Sequence, residues 1–269
     1  MPEPRRDAFW AARGEDLEDL AGVGGAQPWE HSGIATTRTG LSLLLDAWRK
    51  RIRAAKLDVP EREAFADLVG GGLLTDDGAL TEAGLRFTEV VRRADRHVRV
   101  EAAASLAPLT LDAYWVGSAA VVVLTDPPAW WAGPRRSGEE IAAMAGRVWL
   151  QDVPTSYLPV LVAAWLGLGP AWPMATEPEL LPFASVVARA DDPDTPVPDG
   201  GDEALREVWS QPWWLWTLQT SDDTGLIGVS AGTRGVFGLQ RPAGDEERVR
   251  FQAWPAESVW AAVVAAVIG

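Results

Sequence analysis

One pattern occurs twice in this chain, as VWLQDVPTSYLPVLVAAWLG at residues 148–167 and as VRFQAWPAESVWAAVVAAVI at residues 249–268. The two copies align without gaps, and Pro154 matches Pro255. In each copy an alternating stretch predicts a strand, and the proline that follows suits the first turn of a helix. The repeated strand–helix unit predicts a chain built from two related halves, with chance similarity between apolar segments as the alternative.

The similarity extends upstream of both copies. The stretch GSAAVVVLTDP, which begins at Gly117, resembles GTRGVFGLQRP, which begins at Gly232. Each half is therefore predicted as an antiparallel meander closed by a helix, and a pseudo-two-fold axis is expected to relate the halves. The predicted fold class is α+β, with two pseudo-symmetric lobes of antiparallel sheet packed with helices and preceded by a helical segment.

The helical segment is predicted from residues ahead of the first meander. Leucines at helical spacing from Leu41 onward predict a helix over residues 41–57. Pro60 suits the first turn of a second helix, which is expected to end at the glycines that begin with Gly70. Thr81 suits the cap of a third helix.

Composition shifts along the chain predict its boundaries. Three glycines between residues 22 and 25 and the lack of apolar periodicity predict a flexible N-terminal segment. The stretch ADDPDTPVPDGGDE is acidic and rich in Pro and Gly, which is typical of a linker. The predicted organisation is a flexible segment over 1–33 and one α+β domain over 34–269, with lobes 34–172 and 203–269 joined by an acidic linker over 173–202.

The overall composition narrows the function classes. The 269 residues include no cysteine and two histidines, and the formal net charge is −14. These counts exclude disulfides and thiolate chemistry, and the acidic charge disfavours nucleic acid as a partner. The N-terminus has no apolar signal region, and the apolar stretch 158–172 is too short for a membrane span and is broken by Pro170. We expect a cytoplasmic protein without membrane insertion.

No catalytic or metal-binding motif stands out. The residues from Gly228 to Gly232 match G-x-S-x-G, but no histidine follows His97, and a hairpin turn is the favoured interpretation. Phosphate-binding glycine motifs are missing, and the aspartates from Asp191 to Asp202 lack the spacing of a calcium loop. We therefore predict a protein that is not an enzyme and has no catalytic residue, metal or cofactor, with an enzyme that lacks His and Cys catalysis as an alternative.

A second alternative comes from GLLTDDGALTEAGLRFTEVVRRA, which begins at Gly72. It contains a match to the L-x-x-x-G-x-L-T-x-x-G phrase that is common in winged-helix proteins, and Arg92, Arg93, Arg96 and Arg99 follow that phrase. It supports a DNA-binding regulator as a hypothesis, against which stand the acidic charge and the lack of a basic recognition helix.

Tryptophan is the most unusual residue of the chain, with fifteen copies beside six Phe and two Tyr. Adjacent strand residues face opposite sides, so pairs such as Trp213-Trp214 are expected to place one ring near the surface unless helices cover both faces of the sheet. Exposed tryptophan is favoured at protein interfaces. The predicted partner-binding residues are Trp115, Trp130, Trp131, Trp213, Trp214 and Trp216.

The order of these segments resembles one known family. GLLTDDGALTEAGLRF precedes the strands HVRVEAAA and VVVLTDP, and the second half ends with VFGLQRP, VRFQAWP and ESVWAAVVAAVI. Over residues 34–269 this order is similar to the EspG family of actinobacterial type VII (ESX) secretion-associated chaperones. The resemblance implies an α+β fold, no enzymatic activity and cytosolic binding of a helical secretion substrate, PPE-like or WXG100-like, whose apolar tip is shielded before export.

Overall fold

The computed structural model describes residues 29, 32–104, 107–132, 146–169, 179–222, 225–245 and 247–268. Within these ranges the chain forms eight α-helices and one antiparallel sheet of ten strands. The predicted α+β class is confirmed. The predicted flexible segment over 1–33 lies outside the described residues, apart from Trp29, Ser32 and Gly33.

The elements follow one another along the chain in two comparable series. The strands are β1 (Ile34–Thr37), β2 (Arg96–Ala104), β3 (Ala107–Val116), β4 (Ala119–Leu124), β5 (Arg147–Pro154), β6 (Glu179–Pro182), β7 (Trp213–Thr220), β8 (Gly225–Ala231), β9 (Val236–Gln240) and β10 (Arg248–Trp254). The helices are α1 (Arg38–Ala47), α2 (Val59–Gly70), α3 (Glu82–Arg93), α4 (Pro128–Trp131), α5 (Leu158–Trp165), α6 (Phe183–Asp191), α7 (Glu203–Ser210) and α8 (Ala256–Ile268).

The strand order shows the pseudo-symmetry directly. Across the sheet the order is β1-β5-β4-β3-β2-β7-β8-β9-β10-β6. In each half a short first strand lies at the outer edge, a four-stranded meander runs between that edge and the centre, and a helix follows the last strand. The halves meet where β2 pairs with β7, so they share one continuous sheet.

The hydrogen-bond registers agree with the sequence repeat. Ile34 of β1 lies opposite Leu150, and Glu179 of β6 lies opposite Phe251, the residue that matches Leu150 in the repeat. Because the equivalent strands β2 and β7 pair antiparallel, the pseudo-two-fold axis passes between them. The two edge strands are therefore equivalent residue by residue.

The equivalence of β1 and β6 moves the boundary between the predicted linker and the second half. Within residues 173–202, strand β6 and helix α6 belong to the second half, which begins at Glu179 rather than at residue 203. The acidic Pro/Gly stretch over 192–201 connects α6 to α7 inside that half. The composition signal identified a loop, but it gave no sign of the short strand ahead of it.

The upstream alignment from Gly117 and Gly232 is wrong by one residue. It matches Val121 with Val236, yet Val121 packs under the N-terminal helices and Val236 packs in the central cluster on the opposite side of the sheet. The registers instead make Phe237 the counterpart of Val121. A shift of one residue in a strand exchanges the two faces, so apolar similarity alone could not set this register.

Helices cover the sheet on both sides. On the front side, α5 and α8 pack against each other over the centre of the sheet, above a cluster that includes Val100, Leu218, Val162 and Val263. On the back side, α1, α2 and α3 cover the first half, and α6 and α7 cover the second half. Three apolar clusters result, and the central one combines residues from both halves.

Caps define the N-terminal helices. The Thr37 side chain accepts a hydrogen bond from the Gly40 N–H, and Asp58 and Glu61 form a reciprocal capping box at α2. Helix α1 begins and ends earlier than the predicted span 41–57: Thr37 caps its start, it ends at Ala47, and beyond it Ile52 donates its N–H to the carbonyl of Gly78.

Candidate partner-binding surface

The structure separates the six tryptophans that were predicted to bind a partner. Trp130 is 36% exposed. The other five are buried: Trp115, Trp131, Trp213, Trp214 and Trp216 are each at most 5% exposed. These five belong to the core and do not form a surface, so only Trp130 remains a predicted contact residue.

Trp213 and Trp214 are both buried because helices cover both sides of the sheet at β7. Trp214 and Trp216 of β7 point to the front side and pack in the central cluster, while Trp213 points to the back side and packs with Phe251. Strand β7 lies at the centre of the sheet, under helices on both sides. The alternative in which helices cover both faces is therefore the one observed.

The front helices expose an apolar surface that the tryptophan pattern did not predict. Helix α5 contains no charged or polar residue, and α8 contains only Glu257 and Ser258. We call the outer side of these two helices the α5–α8 face. Its members that are exposed or half-buried are Val160 and Ala164 of α5, Tyr157 directly before α5, and Ala256, Glu257, Ser258, Trp260, Ala261, Ala262, Val264, Ala265 and Ile268 of α8.

Several large side chains of this face are well exposed. Tyr157 is 48% exposed, Val160 is 44% exposed and Trp260 is 42% exposed. Each helix also exposes a small residue nearer its C-terminal end, Ala164 in α5 and Ala265 in α8. The matched positions Val160 and Ala261, and Ala164 and Ala265, give both helices the same apolar outer side.

The back-side helices show what an ordinary outer face looks like in this protein. Helix α2 exposes Arg62, Glu63 and Asp67, and α3 exposes Arg86 and Arg93 among other charged residues. A surface helix normally pairs an apolar inner stripe with a polar outer one. On the α5–α8 face the exposed polar residues of the two helices are confined to Glu257 and Ser258 in the first turn of α8, and exposed apolar surface of this kind marks a site of interaction.

The back side carries a polar cluster between β2 and β3. The His97 ring stacks on Tyr114 at 4.5 Å between centroids, and its Nε2 lies 3.2 Å from Asp112 Oδ1. Asp112 also lies 3.7 Å from the Arg99 guanidinium, whose pKa it raises. Burial raises the pKa of Tyr114, and Asp112 adds to that shift. This cluster depends on the pairing of β2 with β3, which brings Asp112 near His97, and that register is not visible in the sequence.

Ser230, the serine of the G-x-S-x-G match, is a buried residue of the sheet. Ser230 lies inside strand β8, is 2% exposed, and accepts a hydrogen bond from Trp216 Nε1 while donating to the Leu166 carbonyl. It is not on a strand-to-helix turn, nor on the predicted hairpin turn. Within the described ranges, no group of three His, Asp or Glu side chains is arranged to hold a metal ion.

Arginines after the winged-helix-like phrase make contacts within the chain. Arg92 lies over the Trp48 ring, Arg93 pairs with Glu89, and Arg96 donates to the carbonyl of Ile268 at the end of α8. The phrase itself forms the turn into α3, where Thr81 caps the helix. These contacts within the chain explain the positions of the three arginines, and no nucleic-acid partner is needed to explain them.

Comparisons with known proteins give little beyond the fold. No protein-family model and no curated protein matches the sequence. The chain is similar to one in the solved "Structure of the Mycobacterium tuberculosis type VII secretion system chaperone EspG5 in complex with PE25-PPE41 dimer", with a TM-score of 0.49 and 14% sequence identity. The match covers 88% of this chain and 96% of that chain. Similarity at this level assigns neither a family nor a function.

Among the described residues, no helix combines the length and the hydrophobicity that a membrane span requires. Helix α8, the most apolar long helix, has thirteen residues and ends at Ile268.

Proposed function

We propose that this chain is a protein-binding chaperone or adaptor that holds an apolar helical partner on its α5–α8 face. The observation that carries the proposal is the largely apolar outer side of two neighbouring helices, on which Glu257 is the one charged residue, in a protein whose net charge is −14. The sequence resemblance to the EspG chaperones supports the same class of function. It names the partner class as a type VII secretion substrate, PPE-like or WXG100-like, and the location as the cytoplasm.

The shape of the face suits a helix as its partner. Two packed helices leave a shallow groove between them, and a third helix can place its side chains into that groove. The small residues Ala164 and Ala265 allow close approach, and the rings of Tyr157 and Trp260 can cover the sides of a bound helix. A partner helix with an apolar stripe would gain more binding free energy on this face than a charged helix would.

Apolar burial would supply the binding energy. Covering about 400 Å² on this side contributes on the order of 10 kcal/mol before the cost of association is subtracted. Stable complexes bury about 800 Å² per partner, so contacts around the rim, such as the one predicted for Trp130, would complete the interface. The rigid sheet beneath the helices keeps the face in place before the partner arrives.

This mechanism requires no chemistry on the partner. The chaperone covers the apolar tip, which prevents aggregation, and releases it when the export machinery binds the same tip more tightly. The polar cluster around His97 and the buried Ser230 lie apart from the α5–α8 face, and we assign them to the structure of the sheet.

Charged substitutions in the middle of the face test the proposal. In the double variant Ala164→Glu and Ala265→Glu, two carboxylates stand where the partner's apolar stripe would lie. Exposed helix positions tolerate such changes at a cost of a few tenths of a kcal/mol, so the variant folds. Ala66→Glu, on the exposed side of α2, is the matched control.

Co-purification from the native host compares the three chains. We expect a helical protein of the type VII substrate class with the wild type and with the Ala66→Glu control, and its loss from the double variant. Equal recovery on all three chains would place the binding site elsewhere, and recovery of DNA instead would favour the winged-helix alternative.

A further inference from the structure

We infer that Glu257 fixes the direction in which a helix lies on the α5–α8 face, and that the partner carries a basic residue at the end that lies beside the first turn of α8. This inference rests on the proposed function of that face. It adds a charge requirement to the apolar partner and names the residue that imposes it.

The shape of the face leaves two directions open to an apolar helix. The pseudo-two-fold axis passes between α5 and α8, so half a turn about this axis exchanges the two helices. Val160 then takes the place of Ala261. Ala164 likewise takes the place of Ala265. A helix in the groove and the same helix turned end over end therefore contact similar apolar surfaces, and burial alone would stabilise both directions by similar amounts.

Glu257 is the exposed charge that distinguishes the two directions. It begins the outer stripe of α8, which continues with Ala261, Val264 and Ile268 at helical spacing. Its counterpart in the repeat is Ser156, an exposed residue in the turn directly before α5. One end of the groove therefore carries a carboxylate, whereas the pseudo-equivalent end carries a hydroxyl group.

The two ends of α8 also differ in the sign of their charge. Arg96 donates to the carbonyl of Ile268 at the last turn, and roughly 16 Å of helix separates Ile268 from Glu257. Neither Glu257 nor Arg96 forms an ion pair with another residue that the structure describes. A basic residue of the partner is therefore attracted by Glu257 in one direction and repelled by Arg96 in the other.

Glu257 also has an ordinary structural role, which a control must separate from the one inferred. A carboxylate in the first turn of a helix complements the helix dipole and stabilises the helix slightly. Glu82 has the same place in α3, on the back side, and is also exposed. Substitution of Glu82 reproduces the dipole effect away from the α5–α8 face, so it is the matched control.

Cross-linking reads the direction of a bound helix, because the chain has no cysteine of its own. Ser258→Cys places a thiol beside Glu257, and Ile268→Cys places one at the far end of α8, both at exposed positions. The probe is a synthetic helical peptide with a Leu/Ala stripe and two lysines at its C-terminal end. One version carries a pyridyl disulfide at the lysine end, and a second version carries it at the neutral end.

The rate of disulfide formation is measured with the full-length chain and divided by the rate with a small neutral disulfide, which corrects for the reactivity of each thiol. We expect the lysine end to react about tenfold faster at position 258 than at position 268, and the neutral end to show the opposite order. Glu257→Lys should abolish this preference, and Glu82→Lys should leave it unchanged. Salt at about 1 M should weaken the preference by screening.

The outcomes separate this inference from the proposed function. Cross-linking at both positions without a preference, or with a preference that survives Glu257→Lys, would overturn the inference and leave the face as a helix-binding surface. A peptide whose leucines are replaced by serine reports the rate without binding. If the apolar peptide reacts no faster than the serine peptide at either position, the proposed function fails, and the inference fails with it.

Discussion

Indole N–H groups connect the elements around the core of this protein. Trp165 donates to the carbonyl of Thr125, Trp213 to that of Arg189, and Trp214 to that of Leu166. A buried tryptophan contributes a large apolar area and also needs a partner for its nitrogen. The excess of tryptophan therefore serves the packing of a sheet that is covered on both sides.

Gly78 offers a prediction with a matched control. It has φ of +77°, and a Cβ at this position would lie 1.9 Å from the Ile52 carbonyl oxygen. Gly244 has φ of +79° and nothing near its missing Cβ. We expect Gly244→Ala to cost about 1–2 kcal/mol for the left-handed conformation alone, and Gly78→Ala to cost clearly more. Urea denaturation measures both, and equal losses would show that the contact with Ile52 is unimportant.

Glu179 gives the protein a specific dependence on pH. Burial raises its pKa above the usual 4.5, and the nearby carboxylate of Asp202 and a hydrogen bond with it raise the pKa further. The folded state therefore holds this proton more tightly than the unfolded state does, and stability falls as the pH rises from 4.5 through the higher pKa of Glu179. We expect Glu179→Gln to be more stable than the wild type at pH 7.

Denaturation midpoints between pH 4 and pH 8 check this sign. The advantage of Glu179→Gln should shrink as the pH falls, because the wild-type carboxyl then becomes neutral as well. An advantage that is constant with pH would mean that shape, and not charge, causes the difference.

Strand–helix units are the elements that the sequence predicts best. The copies that begin at Val148 and Val249 form β5 with α5 and β10 with α8, and their matched residues face the same sides of the sheet. The alternation of apolar and polar residues and the position of a proline are local signals, so they can be recognised in a single sequence. Strand β3 and the edge strands β1 and β6 were missed, because pairing with distant strands determines them rather than local composition.

The surface was less predictable than the fold. Burial of Trp213 and Trp216 depends on which helices cover each side of β7, and no local pattern carries that information. The apolar outer side of α8 was visible in the sequence as a helix with a single charged residue, Glu257. The spacing of Val259, Val263 and Val267 indicates a buried stripe, and the structure shows that the opposite side of the helix, with Trp260 and Ala265, faces solvent.

The repeat also makes a prediction about energetics. Val162 and Val263 are matched residues, both fully buried in the central cluster. Each change to alanine should destabilise the fold by about 1.5–3 kcal/mol, through lost burial and the cavity that remains. Val160→Ala, on the exposed side of α5, should cost less than about 0.5 kcal/mol. Thermal and urea unfolding measure all three, and very unequal losses at positions 162 and 263 would argue against equivalent halves.

The two halves share one sheet and one central core in the described part of the chain, so we expect them to unfold as one cooperative unit. The β2–β7 pairing and the central cluster both combine the two halves, and α5 packs on α8 across the pseudo-two-fold axis. A protease site inserted within residues 170–178 should therefore leave the two pieces associated after cleavage. Size-exclusion chromatography should show one species until denaturant is added, whereas two separately folded pieces would contradict the shared core.

The α5–α8 face is the place where we propose that a partner binds. The direct measurement is the affinity of the recovered partner for the wild type, for the double variant Ala164→Glu and Ala265→Glu, and for the Ala66→Glu control, by titration calorimetry. We predict that the double variant loses at least about 100-fold in affinity, which corresponds to about 2.8 kcal/mol, while the control binds like the wild type. Unchanged affinity of a folded double variant would contradict the account.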